Sequence, residues 1–421
     1  MRGRRAVVLA FGLCAGALPL PAGGSAAAAT PCSPWTRTTV ATHLGVLENL
    51  LADGSGGMLV AAGKEIDRVR PDGHVTELAS IASPGQLLPF HGKVLAVYGD
   101  DLQSGAENKT DGGLAIVDPV TGAVTPYADG LTMPNGMAIG PNDDAYVTRD
   151  VGSGTGITRI PAAAPHTPQV SWSTLDDTNG AAIDPTGTYL YTDQTFTADS
   201  AVYRIPLADP AKRTAIAHLV GTGTAVPLGL DDLTRDGAGV LYIAANSGGE
   251  VIRLDPATGA TCVLTTGLTT PSSVRFGGGP GWPATTLYVV GFDGTLSALT
   301  PPPGQVPPVD PTAPVPLTVH AGIAPTTINA LVHGGRATVS YALSRTADVT
   351  VRLYAGGHLA ATVTVRPAFT GVDHVVLRLT TRARRRLRGR RRVDLVAVVV
   401  ARASDGAHVR ATARRTTLLE T

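Results

Sequence analysis

The sequence contains little cysteine, few aromatic residues and almost no excess of either charge. Of its 421 residues, 3 are Cys and 5% are Phe, Trp or Tyr, and the formal net charge is +1. The charge therefore does not indicate nucleic acid, and no nucleic-acid partner is predicted. Beyond the N-terminal segment, no apolar run reaches the length of about 20 residues that a membrane-spanning helix needs. Abundant Gly and Thr, with Asp-Gly and Pro-Thr-Gly turns, indicate an all-β protein.

Residues 1–29 are predicted to be a secretory signal peptide. Three arginines within the first five residues precede the apolar run AVVLAFGLCAGALPL, and the small-residue run at 26–29 offers a cleavage site. The alternative is a membrane anchor, for which the run is short. We therefore expect a secreted, extracellular protein. Its four lysines, against abundant Arg, Ala, Gly and Pro, are typical of a GC-rich bacterial genome.

The cysteines predict one disulfide. Cys14 lies in the predicted signal peptide, so Cys32 and Cys262 remain as an even pair in an exported chain. Such a pair favours a disulfide between them, and two unpaired thiols are the alternative.

An internal repeat determines the predicted fold. Four segments each span a separation of fourteen residues with turn residues in the same place: ENLLADGSGGMLVAA (48–62), NGMAIGPNDDAYVTR (135–149), NGAAIDPTGTYLYTD (179–193) and DDLTRDGAGVLYIAA (231–245). Two looser units occupy 84–99, which lacks a polar first residue, and 271–291. Further short strands follow each unit, so residues 30–300 are predicted to form a six-bladed β-propeller of four-stranded sheets.

The C-terminal third is predicted to be a separate domain. The proline-rich segment 301–316 reads as a stiff linker, and alternating polar and apolar residues with Gly-Gly and Asp-Gly turns predict a small immunoglobulin-like β-sandwich at 317–421. Eight arginines lie from Arg382 to Arg392. They predict either a solvated crossover or a contact with an anionic envelope polymer. We expect a monomer.

The first residues of the four regular repeats are Glu48, Asn135, Asn179 and Asp231. In a propeller the innermost strands run along the central channel, so these residues are expected to converge near one mouth. Carboxylate and amide oxygens suit a hard divalent cation, with Ca²⁺ preferred and Zn²⁺ or Mn²⁺ possible. Turn chemistry is the alternative. It explains the two Asn-Gly pairs, but it does not explain Glu48.

The same repeats carry a family resemblance. GLDDLTRDGAGVLYIAANSGGEVIRLDPATG (229–259), TTPSSVRFGGGPGWPATTLYVVG (269–291), MPNGMAIGPNDDAYVT and TNGAAIDPTGTYLYTD resemble the SMP-30/gluconolactonase/luciferin-regenerating family over about residues 40 to 300. The resemblance implies a six-bladed propeller that hydrolyses sugar lactones and related esters with a divalent metal in its channel. It implies Glu48, Asn179 and Asp231 as metal ligands, Asp231 also as the general base, and Asn135 as a residue that binds substrate or completes the metal shell.

The sequence departs from the family at three places. The family's Glu-Gly-Pro reads Glu-Asn-Leu at 48–50, and its Asp-Gly reads Asp-Asp at 231–232. Thr-Met-Pro at 132–134 stands where sugar-lactone enzymes often have an arginine for substrate hydroxyls. Gluconolactone is therefore not predicted as the substrate.

The predicted function is a secreted, metal-dependent hydrolase of small lactones or related esters, in which the metal polarises the carbonyl and Asp231 activates water. No G-x-S-x-G, H-E-x-x-H or C-x-x-C motif offers another chemistry. The alternative is a non-catalytic, metal-stabilised propeller that binds an extracellular ligand or envelope component.

Overall fold

A computed structural model describes residues 30–33, 35–309, 319–343, 347–368, 371–403 and 408–419. The predicted signal peptide with Cys14 and much of the predicted linker lie outside these residues. Strands hold 51% of the chain and helices 6%, which confirms the all-β prediction. Over the described ranges, no helix is both long and apolar enough to cross a membrane.

Six antiparallel four-stranded sheets, here called blades 1 to 6, follow one another along the chain. Two strands precede them, β1 (Thr30–Pro31) and β2 (Thr36–Ala41). The strands of blades 1 to 3 are β3 (Leu47–Ala52), β4 (Met58–Ala62), β5 (Glu65–Val69), β6 (Val75–Ser80), β7 (Leu87–Phe90), β8 (Lys93–Tyr98), β9 (Gly112–Val117), β10 (Val124–Leu131), β11 (Met137–Ile139), β12 (Ala145–Val147), β13 (Ile157–Ile160) and β14 (Gln169–Ser173).

Blades 4 to 6 continue the pattern. Their strands are β15 (Thr178–Ile183), β16 (Tyr189–Gln194), β17 (Ala201–Pro206), β18 (Thr214–His218), β19 (Leu230–Arg235), β20 (Leu241–Ala245), β21 (Glu250–Leu254), β22 (Thr261–Thr265), β23 (Pro271–Phe276), β24 (Leu287–Gly291) and β25 (Leu296–Thr300). One short helix, α1 (Leu102–Glu107), joins β8 to β9, and a 3₁₀ turn, Pro210–Lys212, joins β17 to β18.

The N-terminal segment closes the ring of blades. β2 is the outermost strand of blade 6 and pairs antiparallel with β25, so that Thr36 lies opposite Thr300. β1 adds to blade 5 by parallel pairing with β22. Beside it, Cys32 and Cys262 form a disulfide with their Cα atoms 5.1 Å apart.

The inner strands β3, β7, β11, β15, β19 and β23 contact one another in a closed ring. Six hydrophobic clusters fill the spaces between neighbouring blades. Blade 4, for example, packs Val202 against Leu230 and Ile243 of blade 5, and all three are fully buried. Alternation along each strand supplies these clusters from both faces, which is why the apolar runs of the repeats are nearly continuous.

The hairpins that point away from the channel mouth are held by aspartates. The Asp184 carboxylate accepts hydrogen bonds from the backbone N–H groups of Thr186, Thr188 and Tyr189. Gly187 follows with φ at +69°, a conformation that disfavours residues with a Cβ. In blade 4 the Asp and Gly of the sequence motif therefore set the turn between β15 and β16.

The C-terminal residues form two antiparallel sheets around one hydrophobic core. The first has the order β26-β27-β30 and the second β29-β28-β31-β32. These strands are β26 (Val319–Ile323), β27 (Arg336–Leu343), β28 (Ala347–Ala355), β29 (His358–Ala368), β30 (Gly371–Arg378), β31 (Arg392–Arg402) and β32 (His408–Leu418). The classification as an immunoglobulin-like domain and the domain boundaries stay predictions.

The arginine-rich segment lies between β30 and β31, and a π-helical turn, Ala330–Gly334, packs beside it. Its helix α2 (Thr381–Leu387) begins at Thr380, whose hydroxyl accepts a hydrogen bond from the backbone N–H of Ala383. Arg384 donates to the carbonyl oxygen of Val332 at 2.7 Å. The other seven arginines from Arg382 to Arg392 are exposed.

Candidate metal centre in the propeller channel

The three predicted metal ligands occupy the same structural place in their blades. Glu48, Asn179 and Asp231 each lie at a register shift, or β-bulge, between the inner strand and the second strand. A bulge leaves one residue unpaired and redirects its side chain. Asn135 precedes β11 and donates its backbone N–H to the carbonyl oxygen of Thr148, across the same strand pair of blade 3.

The Asn-Gly pairs are not turns, so the turn interpretation of the sequence is wrong. Asn179 and Gly180 lie inside β15, and neither Gly136 nor Gly180 has a positive φ. A Cβ atom on Gly180 would lie 2.5 Å from the backbone nitrogen of Leu233 in β19. A Cβ on Gly136 would collide with the carbonyl oxygen of Asn179. Glycine is there because neighbouring inner strands approach closely beside the channel.

Asn179 and Asp231 are in direct contact. The Asn179 Nδ2 donates to Asp231 Oδ1 at 3.2 Å, to Asp150 Oδ2 at 3.3 Å and to Thr195 Oγ1 at 3.0 Å. The other carboxylate oxygen of Asp231 accepts a hydrogen bond from Asn246 Nδ2 at 2.9 Å. Asn179 is 2% exposed and Asp231 6% exposed. Two of the predicted ligands thus share a buried polar cluster at the channel mouth.

Glu48 belongs to the same electrostatic environment. Its side chain is half-buried and forms no hydrogen bond with the described residues. Burial raises the pKa of Glu48 well above its ordinary value, and the negative charges of Asp100, Asp231 and Asp150 raise it further. Asn135 is 9% exposed, and within the same residues its side-chain amide also has no hydrogen-bond partner. Its amide is available to a ligand in the channel.

Sequence reasoning missed two aspartates of this cluster. Asp100 follows β8 and Asp150 follows β12, at the ends of second strands that return to the channel mouth. Burial and the charge of Asp150 raise the pKa of Asp100 well above its ordinary value. Burial and then Asp177 raise the pKa of Asp150 to about 6. A signal was present, because Asp150 follows Asn135 by fifteen residues (150−135), as Asn246 follows Asp231 (246−231).

The cluster fits a hard cation. Asp100 Oδ2, Asp150 Oδ1 and Asn179 Oδ1 are buried and have no hydrogen-bond partner. Buried acceptor oxygens normally have partners, and carboxylate and amide oxygens are the ligands that Ca²⁺ prefers. In the described part of the chain, no three His, Cys, Asp or Glu side chains form a metal-binding group by themselves. The amide of Asn179, whose Oδ1 is unpartnered, is the donor in this cluster that is not a carboxylate.

Two of the departures from the family pattern contact each other directly beneath this cluster. Asn49 Nδ2 donates to Asp232 Oδ2 at 3.0 Å and to Ser273 Oγ at 3.0 Å. The Ser273 hydroxyl also donates to Asp232. Arg275 completes the network with Nη1 2.8 Å from Asp232 Oδ2 and Nη2 3.1 Å from its Oδ1. The substitutions next to Glu48 and Asp231 thus form one buried polar unit that joins blades 1, 5 and 6.

Where sugar-lactone enzymes often have an arginine, the segment 132–134 presents Met133, which is 2% exposed. Arg149, beside Asp150 in the sequence, donates to the carbonyl oxygens of Val151 at 2.9 Å and of Gly105 in α1 at 3.1 Å. Its guanidinium therefore fixes α1 to blade 3, and neither position directs an arginine to substrate hydroxyls.

A cavity of about 530 Å³ lies at the other end of the inner strands. It is lined mainly by apolar side chains, among them Leu51, Met137 and Phe276. At its rim the side chains of His91 and Asp143 are hydrogen-bonded, with 2.9 Å between Nε2 and Oδ2. Since the unpartnered carboxylates are at the opposite mouth, that mouth is the candidate site of chemistry.

Comparison with known proteins agrees with the propeller fold. Residues 156–291 match the family model described as SMP-30/Gluconolactonase/LRE-like region. No curated protein sequence matches the chain. A gluconolactonase from Xanthomonas campestris is 16% identical with a TM-score of 0.50, over 67% of this chain and 99% of that one.

Two further solved structures are similar. A calcium-binding protein, regucalcin, from Agrobacterium tumefaciens is 17% identical with a TM-score of 0.51, over 69% of this chain and 99% of that one. A luciferin-regenerating enzyme is 14% identical with a TM-score of 0.50, over 67% and 99%. The predicted resemblance is thus supported: the chain has the propeller fold of these proteins, and its residues 156–291 carry the sequence pattern of the SMP-30/gluconolactonase/LRE-like region.

Proposed function

We propose that this protein is a secreted, metal-dependent hydrolase of small lactones or related esters. The observation that carries the proposal is the contact between Asn179 and Asp231 among buried oxygens that have no hydrogen-bond partner. The match of residues 156–291 and the fold of the similar structures support the same class of activity.

Glu48, Asn179 and Asp231 would hold the cation, and Ca²⁺ is the metal that their oxygens fit best. When bound, a divalent cation supplies Lewis acidity for the carbonyl group of the substrate. Asp231 acts as the base that takes a proton from water. Its Oδ2 accepts a hydrogen bond from the amide of Asn246, which orients the carboxylate while that oxygen keeps a second lone pair. Asn135 offers its free amide to the substrate.

The surroundings of the site define the substrate class. Met133, which is buried, stands where an arginine would bind sugar hydroxyls, so the proposal does not require a polyhydroxylated ring. Glu48, Asp100, Asp150 and Asp231 place four carboxyl groups around this mouth, which favours neutral substrates over anionic ones.

The test is hydrolysis of a panel of lactones and aryl esters with Ca²⁺, Mn²⁺ or Zn²⁺ and after chelation. Asp231→Asn is expected to lower kcat on the order of 10²- to 10⁴-fold because it removes the base. Asp143→Asn, an exposed carboxylate at the opposite mouth, is the matched control and should retain activity. Turnover that persists undiminished in a folded Asp231→Asn protein would contradict the proposed role.

One observation favours a second candidate, a non-catalytic propeller stabilised by a metal and binding an extracellular ligand. The segment 132–134 offers no arginine that would serve a sugar substrate, and Met133 at its centre is buried. A protein whose thermal stability requires the cation, yet which hydrolyses no member of the panel, would support this candidate.

We further propose that the mature protein is an exported monomer that contacts an anionic envelope polymer through Arg382 to Arg392. The disulfide and the exposure of seven of these arginines support this. Fractionation of expressing cells tests export, and light scattering tests the monomer. Co-sedimentation with a polyphosphate-containing wall polymer tests the contact, and replacing Arg385 and Arg386 by Glu should weaken it.

A further inference from the structure

Asp150 is a buried carboxylate without a basic partner. It is 9% exposed, its Oδ2 accepts a hydrogen bond from Asn179 Nδ2 at 3.3 Å, and its Oδ1 has no partner. Arg149, the adjacent residue, directs its guanidinium to the carbonyl oxygens of Gly105 and Val151. In the ranges that the structure describes, Asp150 forms no ion pair. Burying an unpaired carboxylate is costly, so a positive charge bound beside Asp150 would stabilise it.

The repeat places Asp150 in line with Asn246, which already contacts a proposed ligand, because both follow the first residue of their repeat by fifteen (150−135 and 246−231). Thr195 and Asn246 lie directly after β16 and β20, and Asp150 lies three residues after the end of β12 (150−147). Thr195 Oγ1 accepts from Asn179 Nδ2 at 3.0 Å, and Asn246 Nδ2 donates to Asp231 Oδ2 at 2.9 Å. All three face the Asn179–Asp231 pair, and Asp150 is the one of the three that carries a charge.

The amide of Asn179 lies between two carboxylates. Its Nδ2 is 3.3 Å from Asp150 Oδ2 and 3.2 Å from Asp231 Oδ1, while its Oδ1 is buried without a partner. A half-turn of the amide exchanges the nitrogen and the oxygen in nearly the same space. An oxygen facing two carboxylates is repelled unless a cation lies among them. In the metal-free fold, the Asn179 N–H group therefore lies where a cation would be bound by Asn179, Asp150 and Asp231 together.

We propose that Asp150 is a further ligand of the channel cation, beside Glu48, Asn179 and Asp231. This inference rests on the cation site of the proposed function and adds a third carboxylate to it. A ligand set of three carboxylates and one amide, all oxygen, selects Ca²⁺ over Zn²⁺, which prefers nitrogen and sulfur ligands.

The test measures cation binding rather than catalysis. Ca²⁺ and Mn²⁺ are titrated by calorimetry into the chelator-treated full chain, as wild type, Asp150→Asn and Asp143→Asn, and the melting temperature is recorded with and without Ca²⁺. Asp150→Asn should weaken Ca²⁺ binding at least about tenfold and reduce the rise in Tm that Ca²⁺ produces. Its cation-free Tm should equal or exceed that of wild type, because a neutral amide replaces an unpaired buried charge. Asp143→Asn should change neither quantity.

Opposite results overturn the inference. Asp150 is not a cation ligand if Asp150→Asn binds Ca²⁺ with unchanged affinity, or if the wild type binds no cation. If cation-free Asp150→Asn melts lower than wild type or fails to fold, Asp150 serves the fold instead. The proposed function fails separately. If the chain binds Ca²⁺ through Asp150 but hydrolyses no lactone, this inference holds and the proposed function fails. If hydrolysis persists after chelation and no cation binds, the protein is a hydrolase and this inference fails.

Discussion

Removing the carboxylate of Asp232 should destabilise the propeller strongly. The side chains of Arg275 and Asp232 are 8% and 6% exposed, so Asp232→Asn would leave a guanidinium buried without its counter-charge. Losing one partner of a buried ion pair typically costs about 3–5 kcal/mol. Arg275 Nη1 also donates to the carbonyl oxygens of Leu233 at 3.1 Å and Val274 at 2.6 Å, which retains part of its hydrogen bonding. We therefore expect the lower end of that range, about 3 kcal/mol.

The assay is urea unfolding followed by circular dichroism in excess Ca²⁺, with Tm as a second measure. A loss of about 3 kcal/mol corresponds to a decrease in Tm of roughly 6–12 °C for a domain of this size. The variants are Asp232→Asn, Arg275→Met and the double replacement, which leaves no unpaired charge. The double variant should lose less stability than the sum of the two single variants, with a coupling energy of at least about 1.5 kcal/mol.

The exposed pair Lys212–Asp209 is the control, since its side chains are 79% and 44% exposed. Asp209→Asn should change the free energy of unfolding by less than about 1 kcal/mol. If Asp232→Asn costs no more than this control, or if the two single effects at 232 and 275 simply add, the reasoning about the buried network is refuted.

Three further predictions concern the packing at Gly180, the disulfide and the pH dependence of cation binding. Gly180→Ala should lower the free energy of unfolding by about 1–3 kcal/mol, because its Cβ would lie 2.5 Å from the Leu233 nitrogen, and a wild-type Tm would refute this. Cys32→Ser should cost up to about 4–5 kcal/mol in the loop-entropy picture, which unfolding under reducing and oxidising conditions measures. The pKa of Asp150 is raised to about 6 in the metal-free fold, above the ordinary 3.8, so protonation of this group stabilises that fold at low pH and the contribution is lost as the pH rises through about 6. Protons therefore compete with the cation, and calorimetry at pH 5 and 7.5 should find weaker Ca²⁺ binding at pH 5.

The periodic part of the architecture could be predicted from the sequence because each blade repeats its own turn chemistry. Asp184 and Gly187 set a hairpin through local contacts, and a local contact leaves a pattern in adjacent residues. The common place of Glu48 and Asn179 was visible for the same reason. The role of Gly180 was not, since the requirement for glycine comes from the backbone of the next blade, 53 residues further along the chain (233−180).

The other features that the sequence did not predict depend on contacts between blades. Asp150 can be recognised as part of the site only in the folded structure, where β12 returns to the mouth and Asn179 from the following blade lies beside it. In the sequence, Asn49 and Asp232 are two separate departures from the family, whereas in the structure they are hydrogen-bonded to each other across 183 residues of sequence. Sequence reasoning without a set of relatives has no means of pairing such positions.

Closure of the propeller by β2 has a consequence for the order of folding. Blade 6 cannot complete its fourth strand until residues 36–41 pair with residues 296–300, near the end of the propeller sequence. Such distant pairing delays the gain of native contacts, so acquisition of the complete ring should be slow and cooperative. During synthesis, the leading end of the propeller must therefore remain unpaired until nearly all of the propeller sequence has been made, which leaves it accessible to proteases and chaperones throughout that interval.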